Sequence, residues 1–324
     1  MEFLANFLTV AEKVGLMFLI IALGFLCQRK GMLTEAANKS IGDLVMYIVM
    51  PCMIINAFSA TLYPKEELLQ LLKNIGIVAL IATAAHMAMI VAVCLIFRGA
   101  DEKRRRMLRF ATVFSNAGFM ALPLAQALID TPTSHEGALY AAVYLAIFNI
   151  AMWTWGYVEM SGDKKALQIR SILLSPGIIG VVVGMIFFTS PLYMGGLQMP
   201  SMLQGAISSI GALNLPLPML MVGFYLGKAD IAAAFRDKGA YACIALRLLA
   251  FPLLVMAVLW ALGIRGNVLV VSSIGASAPV AATTTIFAAK FESDTELSVR
   301  LVSMSTVLSM ITMPLIVGLT QMIA

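Results

Sequence analysis

The sequence predicts an all-α membrane protein in which ten transmembrane helices form two inverted halves of five. Three observations predict it: the composition, the spacing of the apolar runs, and the placement of Lys and Arg. Of 324 residues, 61% are hydrophobic and 12% charged, and mean hydropathy is +0.94, whereas an average soluble domain is about half apolar and a quarter charged. A hydrocarbon core of roughly 30 Å takes about 20 helical residues, and runs of that length fall near 9–28, 41–61, 75–97, 107–129, 137–158, 171–190, 203–226, 240–262, 267–290 and 301–323. Seventeen of the 22 Lys and Arg lie in the odd-numbered connections or the helix ends beside them. Lys and Arg accumulate on the cytoplasmic side, so the expected arrangement is a multi-pass protein of the cell (inner) membrane with both termini outside. Because five is odd, the second half enters the membrane upside down relative to the first, and inverted repeats are a transporter signature.

The elements follow in order. The N-terminal run carries Glu2 and Glu12, lacks a basic leader region and is followed by no small-residue cleavage site, so it reads as helix 1. Helix 2 has Asp43 near its cytoplasmic end, a central Pro51 and a deep Asn56; helix 3 carries His86, a residue able to relay protons or bond a neighbouring helix. Helix 4 contains "SNAGFMALPLAQAL", residues 115–128, and helix 5 carries Asn149. The polar loop 159–170 separates residues 1–165 from residues 166–324, the expected halves. Gly180 and Gly184 in helix 6 permit close packing. Pro216 and Pro218 in helix 7 match Pro51 in helix 2. Arg247, about two turns into helix 8, is expected to snorkel to the interface. Helix 9 is interrupted between Gly275 and Pro279, as helix 4 is between Gly118 and Pro123.

Those two interruptions define the candidate site. At 1.5 Å per residue both lie about 15 Å in, near the midplane. Pro123 and Pro279 are expected at the first positions of second half-helices, where a missing N–H is harmless. Two half-helix N-termini would then converge on the membrane centre and favour an anion. Asn116, expected in the last turn of the first half-helix, can donate through its amide to a carboxylate or bond the carbonyls the break frees. Ser277 and Thr283 supply hydroxyls from helix 9, so the site reads as polar and uncharged. Asn149 and Asn56 are equally suited to face the site or to join helices.

Other chemistry is excluded by pattern. The net charge of +5 comes from short basic clusters between apolar runs, not from a stripe that would bind nucleic acid. Cys27, Cys52, Cys94 and Cys243 stand singly, without metal-ligand spacing, and read as reduced packing residues. No H-E-x-x-H, Walker loop or G-x-S-x-G occurs, so no enzyme, cofactor or metal centre is expected.

The chain resembles the auxin efflux carrier family, which includes plant auxin exporters and bacterial malate and malonate permeases. The likeness rests on "IIALGFLCQRKGMLTEAANKSIGDLVMYIVMPCMIINAFS", "FSNAGFMALPLAQAL", "FNIAMWTWG" and "APVAATTTIFAAKFESDTELSVRLVSMSTVLSMITMPLIVGL", and it covers essentially the whole chain. It implies a fold similar to bile acid sodium symporters, with helices 4 and 9 unwound and crossing. It also implies elevator motion, with helices 1, 2, 6 and 7 as a scaffold that often dimerises and helices 3–5 and 8–10 as the transport domain. Asn116 then matches the substrate-carboxylate asparagine, and Pro123 and Pro279 the crossover prolines. The long central loop of the plant exporters is absent, and helix 3 lacks their acidic residue. The expected function is secondary transport of small organic anions, mono- or dicarboxylates. Na⁺ held on the carbonyl ends of half-helices, or H⁺ carried by His86, stand beside plain uniport as coupling modes. A membrane anion sensor and a cation-coupled antiporter are the alternatives.

Overall fold

The computed structural model describes residues 2–99, 101–163, 174–228 and 238–324. Among the described residues, seven helices are long and apolar enough to cross a membrane. They are α1 (Glu2–Arg29), α2 (Glu35–Ser59), α3 (Lys65–Ile96), α5 (Glu136–Ser161), α7 (Ser201–Lys228), α8 (Gly239–Ala261) and α10 (Thr295–Ile323). The remaining helices are shorter: α4a (Glu102–Val113), α4b (Ala117–Ile129), α6 (Pro176–Leu192), α9a (Gly266–Ser277) and α9b (Thr283–Lys290). No strand occurs among the described residues, only two isolated bridges. The expected boundary between halves at 165/166, and the basic residues Lys164, Lys165, Arg170 and Arg236, lie outside the described residues.

Side-chain caps start α2, α4a and α10, three helices that begin at the end of the molecule where basic residues cluster. Thr34 accepts from Ala37 N at 3.2 Å, Asp101 from Arg104 N at 3.2 Å and Asp294 from Leu297 N at 2.9 Å. Each cap satisfies a donor that the first helical turn leaves free. At the same end Arg109 of α4a donates to Glu159 of α5 at 3.1 Å and to Phe97 O at 2.7 Å, tying α3, α4a and α5 together.

Three of the prolines inside the helices share one solution. Pro51, Pro123 and Pro252 each follow, by two residues, a five-residue π turn: Val45–Val49, Ala117–Ala121 and Leu246–Ala250. A proline has no N–H to donate and its ring crowds the carbonyl four residues back. Widening the preceding turn moves that carbonyl away without ending the helix. Helix 7 uses a different device, a 3₁₀ turn at Ala212–Asn214 before Pro216.

Close packing depends on glycines at several helix pairs. A Cβ on Gly24 of α1 would lie 2.3 Å from Leu220 O of α7, and one on Gly223 of α7 would lie 2.1 Å from Ile21 O of α1. Any larger residue there forces the two backbones apart. Gly180 and Gly184 let α6 rest on Pro51, Ile54 and Phe58 of α2. The outer surface is apolar, with Leu16, Leu19 and Leu23 of α1 and Leu80, Met87 and Val91 of α3 exposed. Such faces are costly in water and suited to lipid tails. All four cysteines are free thiols.

Candidate functional site

Helices α4a and α9a are each 12 residues long, so both breaks fall about 18 Å from their starts. The chain between the halves is extended, and the two extended stretches pair. Asn116 N donates to Pro279 O at 2.7 Å, and Ala281 N donates to Phe114 O at 2.9 Å, forming an antiparallel bridge between Ser115 and Val280. Val280 N donates to Ser305 Oγ of α10 at 3.1 Å, and Asn214 Nδ2 of α7 donates to Gly118 O at 3.0 Å. Backbone groups released by the breaks thus find partners inside the protein, the condition for irregular chain at membrane depth.

Relative to the prolines, the second half-helix starts earlier than expected in α4 and later than expected in α9. Half-helix α4b begins at Ala117 with Asn116 as its N-cap, so Asn116 is not in the last turn of α4a and Pro123 is not a helix start. Pro279 lies in the extended crossing itself, four residues before α9b begins at Thr283. The reason is the π turn of α4b, which lets a proline sit inside a continuing helix, and the pairing of Pro279 O, which holds that residue extended.

Arg247 is the largest correction. It does not snorkel: its side chain is 1% exposed and turned into the crossing. Nη1 donates to Thr112 O and Val113 O, each at 3.3 Å, and Nη2 donates to Ala276 O. One guanidinium therefore binds the carbonyl ends of both α4a and α9a, and the centre of the protein is not free of charge.

Beside the crossing lies a cavity of about 520 Å³ lined by Asn116, Gly118, Asn149 and Thr283, with Met46, Met50, Ser115, Phe148, Trp153, Ser175, Gly177, Ala281 and Lys290. The N-terminal residues of α4b and α9b both border it. Nδ2 of Asn116 and Oγ1 of Thr283 are buried and have no protein partner. Asn149 donates Nδ2 to Leu145 O at 3.0 Å. It lies against Gly177, where a Cβ would come within 2.9 Å of it.

Four other expected site residues lie elsewhere. Asn56 and Pro123 line a separate cavity of about 250 Å³, further along α2 and α4b from the basic end, and Asn56 Oδ1 accepts from Gln204 Nε2 at 2.8 Å. Ser277 is fully buried and donates Oγ back to Ile274 O at 3.1 Å. His86 does not line the cavity. Its Nδ1 is 2.7 Å from Ala82 O, and its ring packs among Phe114, Tyr144 and Phe148.

Sequence reasoning passed over two residues of the cavity wall. Ser175 is the N-cap of α6 and has a buried, unpartnered Oγ, and the pair Ser175-Pro176 carries the cap-then-proline signal that could have found it. Lys290, counted only as a loop charge, ends α9b with Nζ 5.3 Å from the Trp153 ring centre and 5.2 Å from that of Tyr157. His135 lies with Nδ1 3.5 Å from Asp130 Oδ2 in the turn before α5 and does not line this cavity.

Residues 9–317 match the family model described as membrane transport protein. An uncharacterized transporter of Methanothermobacter thermautotrophicus is 24% identical over 313 residues, covering 95% of this chain and 98% of that protein. The protein is a transporter and not an enzyme, and the chain belongs to the membrane transport protein family, that of the auxin efflux carriers.

Proposed function

We propose that the protein is a secondary transporter of small organic anions, mono- or dicarboxylates of the size of malate or malonate. The observation that carries this reading is the meeting of the α4b and α9b N-termini with the unpartnered Asn116 amide at one cavity. Helix N-termini present free N–H groups and a positive dipole end to an anion, and a volume of about 520 Å³ lies in the range of small-ligand sites, roughly 300–1,000 Å³. Asn116 would donate to one carboxylate oxygen, Thr283 and Ser175 would offer hydroxyls, and Lys290 would draw anions to the mouth.

The transport cycle follows from two inverted halves of five helices, with α1, α2, α6 and α7 as a scaffold, dimeric through its outer face, and α3–α5 with α8–α10 as an elevator domain. With the basic end cytoplasmic, the exposed Leu174 and Lys290 at the cavity rim correspond to an inward-open state. The Asn214–Gly118 bond at 3.0 Å joins the two domains and has to break when the elevator moves. Uptake of labelled malate, malonate, lactate and an indole acid into proteoliposomes tests the reading. Saturable flux of at least one carboxylate is expected, and binding of all without flux of any would make the protein a sensor.

A further inference from the structure

We infer that Arg247 is the resident cation of the crossing, holding the place between the two helix ends that a Na⁺ would otherwise take, so that the transport cycle of this chain needs no Na⁺. The transport clause rests on the anion-carrier reading; the placement of the charge does not.

The argument begins with the helix ends. Both α4a and α9a stop in the interior, and the last four carbonyls of a helix have no donor within it. Each end carries about half a unit of negative charge, so two ends meeting at one point sum to about one. In broken-helix transporters such carbonyl ends are where Na⁺ is coordinated. Here Thr112 O and Val113 O from α4a and Ala276 O from α9a are already taken by one guanidinium. A delocalised +1 group with five fixed N–H donors suits three divergent carbonyls better than a flexible ammonium. Among the described residues no carboxylate pairs with Arg247. Its counter-charge is therefore the two helix ends. The Phe251 ring lies under it, 5.5 Å from Cζ, on the same helix. The side chain is tethered through α8, so the cation cannot leave and no ion gradient is coupled through it.

The test combines melting and flux. Purified wild type, Arg247→Ala and Arg247→Lys are melted in detergent at equal ionic strength in NaCl, KCl and choline chloride. Wild type is expected to melt at one temperature in all three. Arg247→Ala should melt lower in choline and recover with Na⁺, or with added guanidinium, as a small cation fills the vacated place. Arg247→Lys should recover part of the loss without added cation, since one ammonium reaches fewer carbonyls. In proteoliposomes, malonate uptake by wild type should be equal in Na⁺ and choline, whereas uptake by Arg247→Ala should rise at least about fivefold with Na⁺, the low end of coupling between sites. Na⁺-specific stabilisation of wild type, Na⁺-dependent wild-type uptake, or an Arg247→Ala protein that melts like wild type in every salt overturns the inference. Should no carboxylate enter the liposomes, the anion-carrier reading falls and the melting series still decides the role of Arg247. Should Arg247→Ala not fold, the wild-type and Arg247→Lys series decide it.

Discussion

The two breaks occupy equivalent places and are built differently. The α4 break ends in an N-cap asparagine whose amide nitrogen has no partner, followed by a π turn that absorbs Pro123. At the α9 break the proline lies in the extended chain, and the hydroxyls of Ser277 and Thr285 bond back to their own helices at 3.1 and 2.8 Å. The first break offers a side-chain amide to the cavity; the second ties Ser277 and Thr285 back to their own helices and leaves the Thr283 hydroxyl at the cavity wall. On the proposed reading, matched geometry does not mean matched roles: α4 carries the principal contact with the anion and α9 the frame that holds it.

Substitutions at the cavity should break that asymmetry most visibly on the α4 side. Asn116→Ala is expected to weaken carboxylate binding most, because a hydrogen bond to a charged group contributes about 1.5–3 kcal/mol, or roughly 10- to 150-fold in affinity. Its melting temperature should hold, since the lost Nδ2 has no protein partner. Uptake KM beside thermal melting measures both, and unchanged KM removes Asn116 from the site.

Glycine substitutions should show the opposite order. A Cβ on Gly275 of α9a would meet the Tyr144 ring at 2.8 Å, whereas one on Gly118 of α4b would meet Leu145 Cδ1 at 3.2 Å. The ring is large and wedged between helices, while a leucine methyl can swing aside. Gly275→Ala is therefore expected to destabilise by about 1–3 kcal/mol, the range for overpacking, and Gly118→Ala by less. Melting of the two variants in parallel checks it, and the reverse order would show that the frame lies on the α4 side.

Much of this was legible in the sequence, and the parts that were not share a cause. Twenty apolar residues in a row are a local signal, so seven long apolar helices among the described residues fall where hydropathy puts them. The breaks were legible as interruptions, but a proline is compatible both with a new helix start and with a π turn, and the choice depends on neighbours that sequence spacing does not reveal. The environment of Arg247 was hidden for a stronger reason. Its acceptors lie 135, 134 and 29 residues away and become one site only when two broken helices cross. A buried arginine at that depth without a carboxylate at helical spacing has two solutions, the interface or a cluster of carbonyls, and only the fold selects between them.

Thr283 sharpens the comparison at a smaller scale. Its Oγ1 is the one α9b hydroxyl that both lines the cavity and lacks a partner. Thr283→Val keeps the shape and removes the hydroxyl, at an expected loss of about 0.5–1.5 kcal/mol for a hydroxyl that meets an uncharged group of the substrate while Asn116 holds the carboxylate. KM for the best carboxylate should rise roughly 2- to 12-fold, less than for Asn116→Ala. A larger effect than that of Asn116 would move the principal anion contact to α9.

Lys290 should give the smallest effect and the most distinctive one. It is exposed at the cavity rim, against the faces of Trp153 and Tyr157, so its charge acts through solvent. Exposed charges contribute about 0–1 kcal/mol, and at 0.1 M salt they are screened beyond about 10 Å. What such a residue does is raise the local concentration of anions before they bind. Lys290→Gln is thus expected to lower kcat/KM at most about fivefold in dilute buffer, with the deficit disappearing as salt is raised and kcat unchanged throughout. Lys290→Arg keeps the charge and stacks at least as well on aromatic faces, so it should restore the low-salt rate. A salt-independent loss in Lys290→Gln would instead place the ammonium in direct contact with the bound anion, and α9 would then supply a charge where α4 supplies only an amide.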